Sequence, residues 1–117
     1  MFRHHLAFVA AAAALVSALP AQAALPKLVG TVGPGFDISL KQGGVAVKRL
    51  KPGKYTFVVV DRSSMHNFHL IGRGVNIDSG IGRRSTKTYT ITLRAGTYRF
   101  LCDPHELAMK GTFRVSP

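Results

Sequence analysis

A chain of 117 residues with 46% hydrophobic content has room for one small domain and no more. Sixteen Lys or Arg against five Asp or Glu give a formal charge of +11, and the single cysteine excludes an intramolecular disulfide. Residues 1–23 read as a cleaved signal peptide: Arg3, His4 and His5 come first, an apolar run covers 6–19, and Ala21-Gln22-Ala23 ends it. That run is too short to span a bilayer and no second one of membrane length follows, so no membrane span is expected. Cleavage after Ala23 leaves one domain, 24–117, exported to the periplasm or secreted. Export turns the basic charge away from nucleic acid and towards acidic protein surfaces or anionic lipid. It also makes the lone thiol, Cys102, the residue to explain, because an unpaired Cys in an oxidising compartment is a liability unless buried, ligated or used.

Past the leader, short alternating runs separated by turns predict an all-β domain. A first strand is expected over Lys27–Val32, a break at Gly33-Pro34-Gly35, and a second strand at Phe36-Asp37-Ile38-Ser39-Leu40. Gln42-Gly43-Gly44 turns the chain into a third strand, 45–50. Lys51-Pro52-Gly53 is a tight turn before a fourth, 55–60. Residues 66–71 form the next strand, and the glycine-rich stretch 72–82 reads as loop. Strands at 86–93, 96–102 and 111–115 complete a Greek-key β-sandwich of about seven to eight strands. Leu93-Arg94-Ala95-Gly96-Thr97-Tyr98 fits a tyrosine corner, with an ordinary buried Tyr as the alternative, and no internal repeat is read after residue 23.

Two segments hold the soft and imidazole side chains: Met65-His66-Asn67-Phe68-His69 and Cys102-Asp103-Pro104-His105-Glu106-Leu107-Ala108-Met109. A thiolate, two imidazoles and a thioether suit copper, with His, His and Cys in a trigonal plane and a long axial Met. Structural zinc prefers several thiolates and rarely uses Met. Pro104 turns the chain after Cys102, so one tight loop can present Cys102, His105 and Met109 together. The fourth ligand is His66 or His69, which strand alternation puts on opposite faces. His66 shares its face with Phe68 and Leu70, the core-facing pair, and is preferred; Met65 is a rival thioether. A Cys-His nucleophile would need a cleft and an oxyanion donor that so small a chain hardly provides, so an enzyme is not expected.

His66-Asn67, then Tyr98-Arg99-Phe100-Leu101-Cys102-Asp103-Pro104-His105, then Met109-Lys110-Gly111, closely resembles the plastocyanin/azurin-like cupredoxins, the type 1 blue copper proteins. The resemblance implies a cupredoxin fold and one type 1 copper held by His66, Cys102, His105 and Met109. It gives Asn67 the task of tying the two ligand loops together by hydrogen bonds. It makes His105 the usual path for electrons, through an apolar patch with Leu107, Ala108, Pro34 and Phe36 around it. Three residues stand between His105 and Met109, where plastocyanins usually have one more. His69 has no counterpart and reads as an ordinary surface histidine. The expected function is a monomeric one-electron carrier cycling Cu(II)/Cu(I) with an acidic redox protein partner; the alternative is a copper carrier or buffer that delivers or stores the metal.

Overall fold

The computed structural model describes residues 1, 7–15 and 23–117. Residues 7–15 are exposed and form neither helix nor strand; the rest of the expected leader, 2–6 and 16–22, lies outside the described residues. Among the described residues, no helix is long and apolar enough to cross a membrane.

Among the described residues, ten strands form two five-stranded sheets. They are β1 (Lys27–Val32), β2 (Ile38–Gln42), β3 (Val45–Ala46), β4 (Arg49–Leu50), β5 (Gly53–Asp61), β6 (His69–Gly72), β7 (Val75–Asp78), β8 (Ser85–Leu93), β9 (Gly96–Leu101) and β10 (Lys110–Val115). The first sheet runs β3-β2-β1-β5-β8 and the second β4-β10-β9-β6-β7. Alternating inward side chains of both sheets make the core, including Leu28, Phe57 and Val59 from one and Leu70, Tyr98 and Phe113 from the other.

Four expectations need correction. The run 45–50 is split between the sheets, because the chain crosses from one to the other at Val47 and Lys48. The second strand starts at Ile38, since Phe36 ends the preceding bend and Asp37 O is taken up by Gly33 N–H at 2.9 Å. The strand expected at 66–71 begins only at His69, leaving His66 and Asn67 in the segment before it. The glycine-rich stretch contains β7, whose Val75 is buried and which hairpins onto β6.

Both crossings that precede β5 and β9 use the same local sequence, Leu-(Lys/Arg)-x-Gly-x-Tyr-x-Phe, at Leu50 to Phe57 and Leu93 to Phe100. This short recurrence corrects the reading that the chain has no internal repeat. Gly53 and Gly96 take φ of 149° and 154°, a region favouring glycine. Tyr98 Oη donates to Arg94 O at 2.8 Å and accepts from Arg94 N–H at 3.0 Å, so the tyrosine corner is real. Tyr55 Oη donates to Lys51 O at 2.6 Å and makes a second one. Each corner fixes the chain where it passes from one sheet to the other; the Tyr98 corner brings β9 into the sheet that β6 has entered through residues 62–68, and the two strands pair there.

A pair of stacked rings carries that packing towards one end of the sandwich. Phe68 and Phe100 lie with centroids 5.6 Å apart and planes 7° apart. Gly30 makes room for one and Gly111 for the other: a Cβ at Gly30 would meet the Phe68 ring at 2.7 Å, and one at Gly111 would run into the Phe100 ring. Phe68 follows His66 by two residues and Phe100 precedes Cys102 by two, so the stack sets the positions of both segments that bear soft ligands.

Candidate metal centre

His66, Cys102 and His105 converge from two separate segments at the end of the sandwich. Both imidazoles turn Nδ1 inward. His66 Nδ1 and His105 Nδ1 are 3.1 Å apart, and Cys102 Sγ is 3.6 Å from each. A point equidistant from three atoms so spaced lies about 2.0 Å from each, the length of a metal–imidazole bond and about 0.3 Å shorter than a metal–thiolate bond. Cys102 is fully buried, His66 and Met109 nearly so, and His105 is half-buried.

The loop owes its shape to local bonds. Asp103–His105 form one turn of 3-10 helix with Pro104 near its start. His105 N–H donates to Cys102 O at 3.0 Å, Met109 N–H to His105 O at 2.8 Å, and Cys102 N–H to Met109 O at 3.0 Å. Cys102, His105 and Met109 are thereby held in one small ring of backbone, with Met109 turned into the core.

The His66 segment is held by buried polar groups that sequence reading did not single out. Asp61 accepts from Ser63 N–H at 3.1 Å and from Ser79 Oγ at 3.1 Å. Ser79 Oγ in turn accepts from Phe68 N–H at 2.8 Å, and Ser63 Oγ accepts from Met65 N–H at 3.0 Å. The signal was present as Asp and Ser two residues ahead of the amide they bind, the spacing of side-chain-closed turns.

Asn67, buried, joins the two segments. Its Oδ1 accepts from Asp103 N–H at 2.8 Å, and its Nδ2 donates to Asp103 Oδ2 at 2.6 Å and to Asp78 Oδ1 at 2.9 Å. His69 is not the plain surface histidine expected. It points away from the Cys102 cluster, with Nδ1 2.9 Å from Asp103 Oδ2 and Nε2 2.7 Å from Asn76 Oδ1. Burial disfavours charge on His69, but the bonds to Asn76 and Asp103 and the charges of Asp103 and Asp78 outweigh it and raise its pKa above the ordinary value. Burial likewise opposes charge on Asp103, yet the bonds from Asn67 and His69 and the charge of His69 hold its pKa below the ordinary value.

Of the residues expected around the electron path, Phe36 is the one whose ring packs against both imidazoles, while Ala108 N–H donates to His105 O at 3.0 Å. The Phe36 ring meets His105 edge-on at 4.9 Å and His66 at 5.4 Å. It is still 67% exposed, and Leu107 on the other side is 88% exposed. Pro34 and Ala108 are exposed, as is Met65, which stays outside the buried cluster.

Residues 45–116 match the sequence signature of the copper binding proteins of the plastocyanin/azurin family. The chain belongs to that family. Among solved structures this cupredoxin is similar to the copper protein rusticyanin, with TM-score 0.58 and 15% identity over 77% of this chain and 76% of that one. Rusticyanin from Thiobacillus ferrooxidans gives TM-score 0.51 and 21% identity over 77% and 76%. An oxidised amicyanin variant gives TM-score 0.50 and 21% identity over 77% and 82%. No protein of curated function matches the chain in sequence. The fold is cupredoxin-like, and the arrangement of His66, Cys102, His105 and Met109 fits one type 1 copper. The donor chemistry agrees, since a lone thiolate with two imidazoles 3.6 Å away matches the soft trigonal plane copper favours.

Proposed function

We propose that this cupredoxin is an exported one-electron carrier in which His66, Cys102 and His105 would hold one copper and Met109 would supply a fourth, thioether donor. The observation that carries the reading is the triangle of Nδ1, Nδ1 and Sγ, assembled from two segments that are each braced by hydrogen bonds. Copper supplies a Cu(II)/Cu(I) couple there. The chain's part is to keep the donors still while the charge changes: Asn67 ties the loops, Asp61 fixes the approach to His66, and the backbone ring fixes Cys102, His105 and Met109. Rigid donors mean little rearrangement per electron, which favours fast transfer over substrate turnover. Burial of Cys102, His66 and Met109, with Phe36 against the imidazoles, leaves the half-buried His105 as the side of the site nearest solvent, which supports a carrier over substrate turnover. Electrons pass at the half-buried edge of His105, within the patch of Phe36, Pro34, Leu107 and Ala108. The partner is an acidic redox protein met in the periplasm or outside the cell by a monomer, in keeping with the formal +10 that residues 24–117 keep once Arg3 leaves with the leader.

The test is the visible spectrum of residues 24–117 after addition of Cu(II), beside Cys102→Ser. An intense thiolate-to-copper band that Cys102→Ser abolishes, and that bleaches and returns through reduction and reoxidation without loss of metal, is the expected result. Loss of copper on reduction would overturn the carrier reading in favour of copper delivery or storage. Absence of the band would overturn the ligand set.

A further inference from the structure

Leu101 breaks the pattern of its strand. Along β9, Tyr98, Phe100 and then Cys102 face the core, so Leu101 faces outward with Arg99. It is nevertheless only 3% exposed and takes no part in the core cluster. It forms the floor of a surface groove of about 370 Å³ whose other lining residues include Arg99, Glu106, Leu107, Lys110 and Thr112. The register explains the shape: Lys110 sits opposite Leu101 and Thr112 opposite Arg99, while the loop between Cys102 and β10 brings Glu106 and Leu107 to the other rim.

We propose that this groove is the docking slot for the acidic redox partner, a protein that seats an apolar side chain on Leu101 and sets carboxylates against Arg99 and Lys110. The proposal rests on the electron-carrier reading and gives it a place. Three features select this occupant. The floor is apolar and the rim carries two exposed cations, so an acidic surface with an apolar tip matches it in both respects. Arg114, opposite Thr97 on β9, and Arg49, opposite Arg114, continue the same row of cations along the sheet, which extends the attraction beyond the groove. Leu101 is joined by one peptide bond to Cys102, so a partner seated on it lies beside the metal loop, and the exposed Leu107 that lines the groove follows His105 by two residues. Glu106 is the single acid lining the groove; it weakens the attraction and lowers the salt at which the partner leaves.

An acidic c-type cytochrome serves as the probe, and the second-order rate of electron exchange with the copper-loaded protein is followed from low to high salt. Arg99→Gln and Lys110→Gln are each expected to slow exchange about 2- to 5-fold at low salt and flatten the salt dependence, and Glu106→Gln to speed it. Lys41→Gln and Lys54→Gln make the same charge change on the other sheet and are expected to leave the rate nearly unaltered. An intact copper band and unchanged cycling with a small reductant show that each variant is folded and redox-active. Equal slowing by all four lysine or arginine variants would overturn the groove in favour of net charge alone, as would no response at Arg99 and Lys110. Failure of the wild-type protein to cycle with the small reductant would instead overturn the electron-carrier reading.

Discussion

Asn67 and Asp103 exchange hydrogen bonds in both directions: the backbone N–H of Asp103 donates to Asn67 Oδ1 at 2.8 Å, and Asn67 Nδ2 donates to Asp103 Oδ2 at 2.6 Å. One neighbours His66 in sequence and the other neighbours Cys102, so this pair sets the distance between the two halves of the copper site. Asn67→Ala leaves the Asp103 amide and two carboxylates without their donor or acceptor. It is expected to cost about 2 kcal/mol of stability and to shift the reduction potential and the thiolate-to-copper band. Denaturant unfolding and spectroelectrochemistry check both; an unfolding loss with an unmoved potential would deny Asn67 its part in setting the site.

His69 gives that clamp a pH dependence. Both of its ring nitrogens face acceptors, Asp103 and Asn76, which only the imidazolium satisfies fully. Its raised pKa means a stabilising contribution that is fully present below about 6.5 and lost as pH rises through the higher folded value. Asp103, with its pKa lowered, contributes above its ordinary value, and that is lost as pH falls through the depressed one. Asp103 is 44% exposed, so the pair is worth about 1 kcal/mol or less. The stability difference between the copper-loaded wild type and His69→Gln is expected to be largest near pH 5–6 and to shrink towards pH 9. A difference that stays flat over that range would show His69 to be neutral throughout.

Phe36→Ala removes a ring that touches both imidazoles but is mostly exposed. Global stability is expected to change by about 1 kcal/mol or less, while a chelator should strip copper several-fold faster because water reaches the histidines. Stopped-flow loss of the copper band measures this. An unchanged rate would mean that the ring does not shield the metal.

The two tyrosine corners should differ in strength. Tyr98→Phe leaves both a carbonyl and an amide of Arg94 unpaired and is expected to cost about 2 kcal/mol, whereas Tyr55→Phe frees only Lys51 O and should cost about 1. Thermal unfolding of the single and double variants tests this, with near-additivity expected if the corners act independently.

Some of this was legible residue by residue. Lys27–Val32 alternates and is bounded by a Gly-Pro-Gly break, and it forms β1 with those limits. The loop from Cys102 to Met109 carries its own turn chemistry in Pro104. The division of 45–50 between two sheets was not legible, because no Gly or Pro interrupts the run and only the partners of its two halves, β2 and β10, pull them apart. β7 was hidden because its flanking glycines outweigh the two apolar residues that pair it to β6. His69 reads as a lone polar residue until the fold sets Asp103 and Asn76 around it, 34 and 7 residues away.

The sequence by itself determined the chemistry: one thiolate, two imidazoles and a thioether, three of them within a single short loop whose spacing is local. The tertiary structure decided the site. His66 reaches Cys102 across 36 residues only because residues 62–68 and the corner at Tyr98 each return the chain to the same sheet, β6 pairs with β9, and the Phe68–Phe100 stack holds both segments in register. Such long-range closeness comes from burial and strand pairing summed over the whole domain, which no local run of residues encodes.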